Sequence, residues 1–122
     1  MDTDDRRDPL ERLRECCLAL PEAHEGTTVH HPSFKVRDRT FAIHADHEGP
    51  DVWIKSTAEE QQELIASDSD RFFKPPYLGP KGWVGVHLDR EPPWDEIAEL
   101  LTEGYRLAAP KRLAARLDEP AD

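Results

Sequence analysis

The chain reads as one α+β domain, a two-layer sandwich of an antiparallel sheet with helices packed on one face. Three observations predict this. Apolar residues alternate with polar ones in "SFKV", "TFAIH", "DVWIK" and "WVGVHL", the period of a half-buried strand. They recur at helical spacing near both ends of the chain. Short turn signals join consecutive strands, which favours antiparallel pairing with one dry and one wet side.

From Pro9 to Leu20, the residues Leu10, Leu13, Cys17 and Leu20 share a helical stripe, with Arg12, Arg14 and Glu15 between them. Pro21 stops this helix, and "EAHEG" is expected to be a turn in which Gly26 supplies conformational freedom. A hairpin follows. "RDRT" (37–40) reads as its turn, with Asp38 and Arg39 at the centre. Pairing then runs Val36 with Phe41, Lys35 with Ala42, Phe34 with Ile43, Ser33 with His44, and His31 with Asp46. That register puts Phe34, Val36, Phe41 and Ile43 on the dry face. The wet face receives His31, Ser33, Lys35, Arg37, Thr40, Ala42, His44 and Asp46.

After a turn at "HEGP", Val52 and Ile54 face the core while Trp53 and Lys55 point the other way. Thr57 and Glu60 form a capping box that opens a short helix carrying Leu64 and Ile65. "FFKPPYLGPKG" reads as a loop or irregular edge. In the last strand Val84, Val86 and Leu88 share one face, and Trp83, Gly85 and His87 the other. Pro92 and Pro93 introduce a C-terminal helix burying Ile97, Leu100, Leu101, Tyr105 and Ala108. "PKRLAARL" continues it as a kinked or separate turn. The order is helix, three strands, helix, strand, helix.

The size of 122 residues suits one core. The domain is expected over residues 9–117, with 1–8 a frayed N-terminus and 118–122 a tail. Hydrophobic residues make up 37% and charged residues 34%, so the core must be economical. No apolar run approaches the ~20 residues of a membrane span, and a cytoplasmic protein without membrane contact is expected. Cys16 and Cys17 are adjacent and the only cysteines, which excludes a disulfide framework and a cysteine-based zinc cluster. Cys17 is expected to act as a small buried hydrophobe.

A formal net charge of −10 counts against nucleic-acid binding unless basic groups are concentrated locally, because phosphate affinity comes from Lys and Arg. Such a strip is available: Lys35 and Arg37 on the wet face, Arg39 at the turn, and Lys55 on the next strand. Trp53 beside it would offer a ring on which a base stacks. Lys74, Lys81 and Tyr77 lie in the proline-rich loop. Lys111, Arg112 and Arg116 suit the negative end of the C-terminal helix. His31, His44 and Asp46 form an alternative site, two imidazoles and a carboxylate able to hold a divalent transition ion; His47 adds to it in the following turn, while His24 and His87 have no partner visible in sequence. No G-x-S-x-G, P-loop, G-x-G-x-x-G or H-E-x-x-H motif occurs. An enzyme is not expected, nor a cofactor.

"LPEAHEGTTVHHPSFKVRDRTFAIH", "VWIK", "GWVGVHL" and "LLTEGYRLAAPKRL" together resemble the MmcQ/YjbR family of small bacterial proteins, from about Leu10 to Leu117. The resemblance implies a CyaY-like (frataxin-like) sandwich, in agreement with the architecture above. It also implies a DNA-binding role, the label commonly given to members, and brings no catalytic residues. Where relatives usually have a small residue, often glycine, before the strand of Phe34, this chain has His30. The expected function is therefore non-catalytic binding of DNA through the uncovered sheet face and its hairpins, with Lys35, Arg37, Arg39, Lys55 and Trp53 in contact. Two alternatives remain open: a protein–protein adaptor using the same face, and a metal-binding protein using His31, His44 and Asp46.

Overall fold

A capped helix opens the computed structural model, which describes residues 8–46 and 49–118. The Asp8 carboxylate accepts a hydrogen bond from the Glu11 N–H at 3.0 Å, and proline occupies the first turn of α1 (Pro9–Leu18). Asp8 thus caps a helix instead of belonging to a frayed end; the rest of that expected segment, and 119–122 of the expected tail, lie outside the described residues. Leu13 and Cys17 are buried in α1, and burial pushes the Cys17 thiol well above its usual range.

Six strands follow: β1 (Ala23–Thr28), β2 (His31–Val36), β3 (Arg39–Asp46), β4 (Pro50–Ile54), β5 (Phe72–Phe73) and β6 (Val84–His87). They form one sheet in the order β1-β2-β3-β4-β6-β5, antiparallel throughout. Two strands were not expected. The segment expected to turn at "EAHEG" is instead the edge strand β1; its ladder to β2 holds it although it lacks apolar alternation. β5 is two residues inside the expected loop, paired with Val86 and Gly85.

The helices α2 (Ala58–Ser67), α3 (Trp94–Ala108) and α4 (Lys111–Arg116) complete the fold. Thr57 accepts from the Glu60 N–H at 3.1 Å, as the capping-box spacing predicts. α3 lays Ile97, Leu101, Tyr105 and Ala108 against Phe34, Val36, Phe41, Val52, Ile54, Val84 and Val86. Phe41 and Tyr105 meet edge to face with centroids 5.7 Å apart. The Tyr105 hydroxyl donates to the Pro21 carbonyl at 2.7 Å. Gly104 lets α3 approach the sheet: a Cβ there would stand 2.9 Å from the Lys55 carbonyl oxygen and 3.0 Å from Ile54 Cγ2. This is the predicted two-layer α+β sandwich.

The β2–β3 hairpin departs from the expected register in an instructive way. Val36 pairs with Arg39 and Lys35 with Thr40, so the two-residue turn is Arg37–Asp38. Beyond a bulge the ladder becomes Phe34 with Ala42 and Ser33 with Ile43. Near the turn the shift is two residues, which preserves every facing; Phe34, Val36 and Phe41 remain in the core. Past the bulge the shift is one residue, which reverses them. Ala42 and His44 therefore turn toward the helices, and Ile43 turns to the opposite side.

Candidate functional site

The basic residues occupy the hairpin end of the sheet. At the β2–β3 turn Arg37 adopts φ 55° and its Nε donates to Glu22 at 2.9 Å. Arg39 is exposed. With Lys111 and the Ala108–Pro110 segment, the two arginines line a cleft of about 340 Å³. Among the described residues Arg39 and Lys111 make no ion pair. Pro110 ends α3 and begins α4, so Lys111 and Arg112 stand at the start of a helix. The expected helix-dipole role fails for them and holds only for Arg116, in the last turn. Sequence spacing had no means of bringing Lys111 to the hairpin, since the two are joined only through the α3 packing.

Lys35 and Lys55 lie on the sheet face away from the main helices, at this same end. The Lys35 stem crosses Gly26, where a Cβ would be 3.2 Å from its Cε. Lys55 holds its ammonium 5.9 Å from the centroid of the buried Trp83 ring. Four of the five proposed contacts thus gather at one end of the molecule, though across two faces.

Trp53 does not join them. The register places it in a row across the second face, Ser33–Ile43–Trp53–Gly85–Phe73. Tyr77 and Leu78 of the proline-rich loop complete the surroundings of its half-buried side chain. Its indole Nε1 is buried and has no hydrogen-bond partner. An open stacking platform is not what the sequence built here.

The metal trio is taken apart by the bulge. His44 pairs with Val52 on the helix side, where burial lowers its pKa against the opposing pull of Asp46 and Asp8. His31 lines the second face with Ile43 and Trp53. Asp46 pairs with Pro50, not with His31. Among the described residues no group of three or more His, Cys, Asp and Glu is placed to hold an ion; His47 lies outside them.

One pair escaped sequence reasoning. Asp51, 1% exposed, stands opposite His87 in the β4–β6 ladder. His87 Nδ1 is 3.6 Å from Asp51 Oδ1, and Phe73 stacks on the imidazole with centroids 4.5 Å apart. Gly85 makes room for that ring, since a Cβ there would collide with it. His87, without a partner visible in sequence, has two, because β4, which ends at Ile54, pairs with β6, which begins only at Val84.

Comparison with known proteins now adds one firm statement. The YjbR family model matches residues 18–107. The chain belongs to the YjbR family. It is also similar to a solved structure, Deinococcus radiodurans protein DR2400, which carries a DUF419 domain. The two share 25% identity with a TM-score of 0.74, over 91% of this chain and 88% of that one. No curated protein matches the chain. Among the described residues, no helix is long and apolar enough to cross a membrane.

Proposed function

We propose that this YjbR protein is a non-catalytic binding protein that holds the phosphates of nucleic acid at the hairpin end of its sheet. The observation that carries the proposal is the cleft of Arg37, Arg39 and Lys111, a local concentration of cations on a chain of net charge −10. Such a concentration is what an acidic protein requires for phosphate binding. Lys35 and Lys55 extend the cationic end onto the second face. Lys111 enters the contact set, and Trp53, half-buried among its neighbours, leaves it. The DNA-binding label and the CyaY-like fold name that the family resemblance implies belong to the same proposal.

Guanidinium groups suit this task because their planar fork matches a phosphate bidentately. A duplex backbone would meet the hairpin tip end-on, beside the C-terminal end of α3, whose Ala108 lines the cleft. Fluorescence anisotropy with a labelled duplex, at about 50 mM and about 200 mM salt, tests this. Binding should weaken steeply between the two. The double substitution Arg39→Glu, Lys111→Glu should abolish it while leaving the circular dichroism spectrum unchanged, both side chains being exposed. Undetectable binding at the lower salt would reject the nucleic-acid ligand.

A further inference from the structure

We infer, on the phosphate-binding reading above, that the preferred ligand of the cationic end is a single strand of nucleic acid, whose backbone passes around the sheet end and is held on both faces. The placement of the cations points there. Arg37, Arg39 and Lys111 line the cleft on the helix side, while Lys35 and Lys55 lie on the second face. The sheet itself stands between the two groups.

Each group is small. In the cleft Arg37 is already paired with Glu22, which leaves Arg39 and Lys111 to meet a ligand's charge. On the second face Lys35 stands between His24 of β1 and Thr40 of β3. Lys55 lies one strand beyond Thr40, its N–H donating to the Phe41 carbonyl at 2.9 Å. The two lysines are thus two strand spacings apart, about 10 Å. Exposed Lys81 adds a further cation near Lys55: a Cβ on the adjoining Gly82 would stand 3.1 Å from the Ser56 carbonyl oxygen. Among the described residues Lys35, Lys55 and Lys81 make no ion pair. Asp38, exposed at the turn, separates the two groups, so they act as distinct phosphate contacts and not as one patch.

The shape of this end distinguishes a duplex from a single strand. A duplex is a stiff rod, with a persistence length of about 150 bp; contact on one side of the end carries it away from the other. It could reach both groups only by taking the end into its major groove, which is about 12 Å wide and accepts an unencumbered two-stranded ribbon. The β2–β3 hairpin is not such a ribbon. β1 runs beside it from Ala23, opposite Val36, and β4 flanks its other side, so the outer strand axes lie about 14 Å apart before side chains are counted. On the helix side the Ala108–Lys111 segment backs the tip. An unpaired strand has no such stiffness. It can lay a phosphate in the cleft, turn past Asp38 and set further phosphates against Lys35 and Lys55, a basic path that tracks the backbone. Trp83, beneath Lys55, is buried, so the hold is by charge and carries no base preference.

Fluorescence anisotropy of the full chain at about 50 mM salt, with a labelled thymidine homopolymer of about 15 nucleotides and with a duplex of the same length, provides the test. The single strand should bind about tenfold more tightly, the gain of two further exposed ion contacts. The double substitution Lys35→Gln, Lys55→Gln should weaken the single strand several-fold more than the duplex. Its salt slope on the single strand should fall by about 0.7 for each lysine removed. A duplex that binds as tightly as the single strand would overturn this inference and leave the phosphate reading standing. Equal weakening of both probes by the lysine substitutions would do the same. Binding of neither probe would overturn both.

Discussion

The helix-covered face and the second face of this sheet share the same strands yet are finished differently. On the first, Phe34, Phe41, Val52, Ile54, Val84 and Val86 are at or below 1% exposure, and the one deep hydroxyl, that of Tyr105, is matched by a carbonyl. On the second, Trp53 keeps an unmatched N–H, and a loop rather than a long helix lies over the strands. The left-handed Val29, His30 and Tyr77 belong to that side's turns and loop. The contrast teaches that one sheet is finished by two different means: one face is closed by packing against helices, while the other keeps a buried donor without an acceptor.

Truncation should expose the division most strongly. Tyr105→Ala removes a fully buried ring and its hydroxyl contact, and should cost about 3–5 kcal/mol in urea unfolding. Trp53→Ala, at a half-buried site, should cost roughly 1–2 kcal/mol. Equal losses would break the distinction between faces.

The β1–β2 corner allows a gain of stability on the second side. Thr28 pairs with His31, and both residues between them have positive φ, the signature of a type I′ turn that Asn-Gly fits best. Val29→Asn with His30→Gly should stabilise the protein by about 1 kcal/mol, seen as a higher urea midpoint. No gain would mean that the strained corner is held by contacts beyond the turn itself.

The smallest effect concerns His44, a titrating group on the otherwise apolar face. Burial lowers its pKa from 6.5, so below that value the unfolded chain binds a proton that the folded chain resists. Stability is complete above about pH 6.5 and falls as acid takes the pH down toward the lowered folded pKa. His44→Gln should flatten this part of the stability–pH curve. An unchanged slope would place the acid sensitivity elsewhere.

Much of this architecture was legible in the residues. The helical stripe from Leu10 to Cys17, the alternation of Val84 and Val86, and the cap at Thr57 each obey local rules, and local rules survive folding. The failures lie where local rules do not reach. A bulge at Phe41 has no sequence signature, yet it reverses the facing of Ala42, Ile43 and His44 and dissolves the metal trio. β1 was hidden because an edge strand, half in water, needs no apolar alternation. Lys111 and the Asp51–His87 pair depend on tertiary neighbours far apart in the chain, beyond the reach of any periodicity. His30, where the family resemblance implies a small residue, often glycine, occupies a left-handed turn in which glycine would be unstrained.

The bond between Tyr105 and Pro21 joins residues 84 apart. Closing so long a loop carries an entropic cost that local hairpins do not share, so this tether should form late, after the strands have met. During vectorial synthesis the meander emerges well before α3. Its greasy side must therefore wait uncovered, which makes the interval before the last helix leaves the ribosome the moment when this small protein most needs protection from its neighbours.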